Sequence, residues 1–154
     1  MPNAEGLVVV EKKKLYVGCA LTLAPQEFKD DVEELKTELE AEWEVLKFLG
    51  TVAGTEVDVY QRDIIENVGG CDAFLGVADE TSTGLGWEGS EACHLSKPTL
   101  FVAHVDTKLT RLILGAPHFN PTMTVRRYEN MVEDVPVIAR EVFANVLESS
   151  AVGN

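Results

Sequence analysis

Apolar runs of strand length alternate along the chain with stretches whose apolar positions recur every three or four residues. The first run, residues 15–21 (LYVGCAL), predicts a buried strand closing into a loop at 22–25. Residues 28–42 set Phe28, Val32, Leu35 and Leu39 at spacings of four, three and four, one apolar helical face with Asp and Glu over the rest. Residues 43–49 predict a second strand ending at Gly50. Residues 57–68 predict a helix stopped by Gly69 and Gly70. A buried strand is expected at 73–78 (AFLGVA), then a small polar loop at 79–86 and a helix over 87–95. Residues 98–105 (PTLFVAHV) predict a strand that opens at its proline. A short helix at 107–114, an edge strand at 123–127 and a closing helix at 132–147 complete the pattern.

Strand and helix thus alternate five times, which predicts an α/β fold with a parallel sheet covered by helices on both faces. Five strands in this length correspond to a three-layer, doubly wound sheet of the flavodoxin or Rossmann kind. No repeat, low-complexity stretch or linker interrupts it, so residues 1–154 read as one domain with a core from about 14 to 148. In such sheets ligands sit beyond the carboxyl ends of the strands. Chemistry is therefore expected in the loops at 19–26, 50–57, 79–86 and 105–108.

Composition narrows the function classes. The chain carries 26 acidic against 13 basic residues, a formal net charge of −13. That field repels nucleic-acid polymers and anionic membranes, while a local pocket can still take a small phosphorylated ligand. No apolar run reaches membrane-spanning length, and the opening MPNAEGLVVVEKKK lacks the order of a secretory signal. A cytoplasmic protein is expected. Cys19, Cys71 and Cys93 are widely separated and lack metal-binding spacing, and His94, His104 and His118 form no ligand or triad pattern. Neither a metal nor a cofactor is expected.

The segment richest in chemistry runs from 71 to 98, CDAFLGVADETSTGLGWEGSEACHLSKP. A buried strand enters a glycine-bearing loop, and a helix is expected to start at Trp87-Glu88. Glycines let backbone approach a ligand, and a carboxylate in a first helical turn is held as the anion by the helix dipole. An ionised, positioned Glu88 is what attack on a sugar carbon requires. The plainer alternative is a common helix-start glutamate. Asp63, on the preceding helix, is placed to contact a sugar hydroxyl or protonate a leaving base; a solvated helix residue is its plainer alternative.

These residues resemble the nucleoside 2-deoxyribosyltransferase-like family, closest to its branch of 2'-deoxynucleoside 5'-monophosphate N-glycosidases. The resemblance spans about residues 15–128. Its strongest element is S-x-G-x-G-aromatic-E, here Ser82-Thr83-Gly84-Leu85-Gly86-Trp87-Glu88, with Lys97-Pro98 at the usual interval, the upstream Arg62-Asp63 and the opening LYVG. It implies Glu88 as the nucleophile that holds the deoxyribosyl group and Asp63 as the acid that assists departure of the base. It implies Tyr16 as the hydroxyl orienting the carboxylate. Ser82 and Thr110 are implied as phosphate-gripping hydroxyls, partly donated between subunits, so a homodimer or larger assembly follows. Gly84 and Gly86 belong to the same loop, and Trp87 shapes the sugar or base pocket.

The departures are also specific. The monophosphate branch carries an arginine and a serine in its first strand-end loop, where this chain has Cys19-Ala20-Leu21-Thr22. Losing a guanidinium removes a bidentate phosphate partner, with Arg111 as the neighbouring compensation. Gly89-Ser90 replaces the usual Leu-Gly after the nucleophile, and the interval from Asp63 to Asp72 is one residue longer than usual, a difference assigned to Gly69-Gly70. The expected function is hydrolysis of the N-glycosidic bond of deoxynucleoside monophosphates through a glycosyl-glutamate. Two alternatives stand beside it: a nucleoside 2-deoxyribosyltransferase that exchanges bases, and a nucleotide-sensing module without turnover.

Overall fold

The computed structural model describes residues 11–47 and 54–149. Five parallel strands, β1 (Lys14–Cys19), β2 (Glu44–Val45), β3 (Ala73–Val77), β4 (Thr99–His104) and β5 (Met123–Tyr128), form one sheet in the order β2-β1-β3-β4-β5. This is the doubly wound order, with its switch point between β1 and β3. The helices are α1 (Gln26–Leu39), α2 (Glu56–Tyr60) continuing into a π-helical segment (Gln61–Val68), α3 (Thr83–His94), α4 (Arg111–Phe119), α5 (Met131–Val142) and α6 (Ala144–Glu148).

The two faces of the sheet follow from the strand period of two. Leu15 and Val17, Leu75 and Val77, and Leu100 and Val102 point toward α1 and α5, where Phe28, Val32, Leu35, Val135 and Ala139 meet them. On that face Trp43 packs edge-on against Phe143, ring centroids 5.7 Å apart. Tyr16, Phe74 and Phe101 point the other way and join Ile64, Val68, Leu85 and Ala92 under the π-helical segment and α3. Both faces are buried, so β3 is apolar or glycine throughout, with no polar alternation.

Several boundaries differ from the sequence reading, among them the closing helix, which is divided at Phe143 into α5 and α6. The second strand is two residues long, without the expected Trp43, Leu46 and Lys47, and Trp43 is buried by packing against Phe143 ahead of it; residues 48 and 49 of the expected strand and its stop at Gly50 lie outside the described residues. The fourth helix begins at Arg111 rather than 107, because Thr110 caps it, its Oγ1 accepting from Leu112 N–H at 3.3 Å. The third helix begins at Thr83, four residues before the expected Trp87. Ser82 Oγ accepts the Leu85 N–H at 3.1 Å and supplies the cap. Gly69 does not break its helix through a left-handed turn, since it keeps helical angles (φ −64°, ψ −34°).

Candidate active site

Glu88 reaches the switch point because α3 lies close on the sheet. Gly89 faces Phe101 on β4, and a Cβ at Gly89 would stand 2.3 Å from that ring. Gly18 on β1 plays the matching part beneath the first turn, where a Cβ would stand 3.1 Å from Leu85 and 3.0 Å from Phe74. The glycine after Glu88 is thus the complement of Phe101. It seats the helix rather than loosening it.

The correction to the start of α3 changes the electrostatics of Glu88. With Ser82 as cap, Glu88 lies in the second turn, beyond the strongest part of the helix dipole. Its carboxyl is not held as an anion below the usual range. Burial pushes it up to about 7, a hydrogen bond from Tyr16 opposes the shift, and the charge of Asp63 adds to it. The Tyr16 hydroxyl donates to one carboxylate oxygen, and burial beside Glu88 drives the phenol well above its ordinary range. The other oxygen, Oε2, is buried without a hydrogen-bond partner. An unpaired buried acceptor is costly, and such atoms call for an explanation in terms of use.

Asp63 is brought to the same place by the helix that precedes β3. It lines a cavity of about 340 Å³ together with Glu88, Glu56, Val59, Tyr60, Ile64, Gly84 and Trp87. Burial raises its pKa, opposed by Arg62, whose Nε pairs with Glu66 at 2.8 Å. Asp63 lies in the π-helical segment. A π turn takes up one residue more than the α repeat. Lys97 fastens the end of this helix, its Nζ donating to the carbonyls of Gly69 (3.0 Å) and Cys71 (2.9 Å). The Lys97-Pro98 element therefore has a structural task, anchoring the segment that carries Asp63.

The remaining sequence candidates separate in space. Gly84 and Trp87 line the cavity of Glu88 and Asp63. Cys19, at the end of β1, feels the charge of Glu88, and burial pushes its thiol up to about 11. Ala20 is buried on the opposite face, in the core with α1 and α5. Gly86 and Arg111 line a second, largely apolar groove between α3 and α4, with Leu112, Phe119 and Met123. Thr110 caps α4 and is not among the residues that line the Glu88 cavity. Sequence reasoning passed over Glu56, Val59 and Tyr60. Their signal was the capping box Thr55-x-x-Asp58, which fixes the start of α2 and hence the face it presents.

A separate polar cluster lies beyond β3 to β5. Asp79 accepts from the His104 N–H (2.7 Å), the Thr107 hydroxyl (2.7 Å) and the Tyr128 hydroxyl (2.5 Å). Among the described residues, no three His, Cys, Asp or Glu side chains are grouped to hold a metal ion, and no helix is long and apolar enough to cross a membrane.

No protein-family model matches the sequence, and no curated protein matches it. Solved structures do. The CMP N-glycosidase BcmB of Clostridium botulinum superposes with a TM-score of 0.66 over 84% of this chain and 99% of its own, at 19% identity. The chain shares its fold. The expected three-layer, five-stranded parallel α/β architecture is the one observed.

Proposed function

We propose that this protein cleaves the N-glycosidic bond of 2'-deoxynucleoside 5'-monophosphates through a covalent glycosyl-Glu88 intermediate. The reading rests above all on the buried, unpartnered Glu88 Oε2, which shares a cavity with Asp63 at the switch point of the sheet. The fold shared with a CMP N-glycosidase supports it.

The two carboxyls divide the work by protonation. Burial raises both, and the charge of Asp63 adds to the shift of Glu88, so each carboxyl keeps its proton to higher pH than an ordinary one. With the proton on Asp63, Glu88 is the nucleophile. Oε2 attacks C1', the bond from C1' to the base nitrogen breaks, and its electron pair leaves with the base. Asp63 gives that nitrogen its proton, because an anionic base leaves poorly. Tyr16 holds the other Glu88 oxygen and aims the carboxylate. Asp63, now ionised, then accepts a proton from water as the water attacks C1'. The C1'–Oε2 bond breaks, its electron pair returns to the Glu88 carboxylate, and the product is the sugar phosphate.

A second reading has its own support. The Glu88 cavity is lined by three carboxylates and by no lysine or arginine among the described residues. Unphosphorylated nucleosides would suit that lining, with a second base replacing water in a deoxyribosyl transfer. The proposal also includes assembly. Helix α4 buries none of its residues and leaves Leu112, Leu114 and Phe119 exposed, and Thr110 at its start stands outside the cavity of its own chain. A homodimer that brings this helix to a neighbouring site answers both facts, and sedimentation of the purified chain tests it.

The deciding assay offers paired deoxynucleosides and their monophosphates, with and without an acceptor base. Free base from monophosphates alone supports the hydrolase, and exchange of labelled base between nucleosides supports the transferase. Ligand-induced thermal stabilisation without any product, in the native protein, would leave a sensing module instead.

A further inference from the structure

The cavity around Glu88 carries three residues that the bond-breaking step does not use. Tyr60 closes α2 and Trp87 projects from α3; they line the same cavity from two helices and remain 48% and 59% exposed. The aromatics at the centre of this face behave differently: Tyr16, Phe74 and Phe101 are buried, with ring centroids 5.7 Å apart for Tyr16–Phe74 and 5.9 Å for Phe74–Phe101. Large rings left half in water around a cavity offer flat apolar surface to a planar ligand. Val59 and Ile64 extend that apolar lining.

Glu56 is the third residue. The Thr55–Asp58 capping box fixes the first turn of α2, with Thr55 N–H donating to Asp58 at 2.8 Å. Glu56 stands in that turn and lines the cavity, and among the described residues its carboxylate has no hydrogen-bond or ion-pair partner. A carboxylate offers acceptors only. It therefore complements a ring that presents an exocyclic amino group and opposes one that presents a carbonyl oxygen at the same edge.

We infer that Glu56, with Tyr60 and Trp87 holding the ring, selects amino-bearing bases, of the cytosine and adenine kind, over their keto counterparts. The inference rests on the N-glycosidase reading of the Glu88 cavity and names the substrate class within it. Glu56 is a specificity residue, separate from Glu88 and Asp63, which act at C1'.

The test compares kcat/KM for 2'-deoxycytidine and 2'-deoxyuridine 5'-monophosphates, and for the 2'-deoxyadenosine and 2'-deoxyinosine pair, in the native protein and in Glu56→Gln. The native protein is expected to favour the amino member of each pair by about tenfold or more. Glu56→Gln, which can both donate and accept, is expected to bring the ratio toward one with thermal stability unchanged. Base release with no amino preference, or a preference that Glu56→Gln leaves intact, overturns the inference while the N-glycosidase reading stands. If no substrate releases base, that reading falls, and calorimetric binding of the same four nucleotides to the native protein decides selection independently. Equal affinities across each pair would then overturn the role of Glu56, and amino-selective binding lost in Glu56→Gln would support it.

Discussion

The molecule contains two tyrosine–carboxylate pairs, and they differ in how fully the carboxylate is occupied. Asp79 takes hydrogen bonds from Tyr128, Thr107 and the His104 backbone, joining the end of β3 to the ends of β4 and β5. Glu88 takes one from Tyr16 and keeps a buried oxygen bare. The same two residue types thus serve opposite ends. A carboxylate enclosed by donors spends its acceptors on joining segments, and one held at a single oxygen keeps an electron pair for a substrate.

The largest effect should come from Glu88→Gln. Loss of the nucleophile is expected to reduce base release by about a thousandfold or more, measured as single-turnover rate. The same substitution should stabilise the fold at alkaline pH. Glu88 titrates near 7 in the folded chain against an ordinary 4.5, so its contribution to stability is complete below about pH 4.5 and is lost as pH rises through 7. Denaturant melts at pH 8 should show Glu88→Gln more stable than the native protein by on the order of 1–3 kcal/mol, a difference that vanishes near pH 4. Equal stability at pH 8 would mean that the two carboxylates are alike after all.

Asp79→Asn should do the reverse. It turns one of the two accepting oxygens into an amino group, so part of this partly buried network loses its acceptor, and a loss of about 1–3 kcal/mol is expected, with turnover per folded molecule little altered. Tyr16→Phe sharpens the contrast from the other side. Its hydroxyl favours ionised Glu88, so removing it raises the carboxyl pKa further and moves the acid limb of the kcat/KM profile to higher pH. Turnover at pH 6 should fall more than turnover at pH 8.5. The smallest effect is expected from Ser82→Ala. Loss of the α3 cap costs about 1 kcal/mol in stability. If Ser82 also grips a 5'-phosphate, KM for monophosphates rises while KM for nucleosides does not.

The architecture was legible because the three central strands announce themselves by composition: Leu15 to Cys19, Ala73 to Val77 and Thr99 to Ala103 are short, apolar and bounded by polar or glycine residues. Glu88 and Asp63 were singled out by the resemblance, since pattern alone also fits solvated helix residues, and the fold brings them to one cavity. The start of α3 was misread because Gly84 and Gly86 count against a helix by propensity, whereas packing of Leu85 on Gly18 outweighs that cost. The state of Glu88 was misread as a consequence, since a first-turn position suggests a stabilised anion and the true second-turn position leaves burial in control. Glu56 and Tyr60 were invisible as site residues. Periodicity predicts that a helix exists, and the direction in which a short, mostly exposed helix faces depends on tertiary packing that no local pattern records.

The π-helical turn beneath Asp63 makes its aim a matter of counting. In regular helical geometry each residue advances the chain by about 100° around the axis. A segment holding one residue beyond the α repeat therefore points everything upstream of it a quarter-turn or more away from where an ordinary helix would. Asp63 shares a cavity with Glu88 because of how many residues separate it from β3, whatever their identity, so the orientation of this carboxyl is stored in backbone length rather than in any neighbouring side chain.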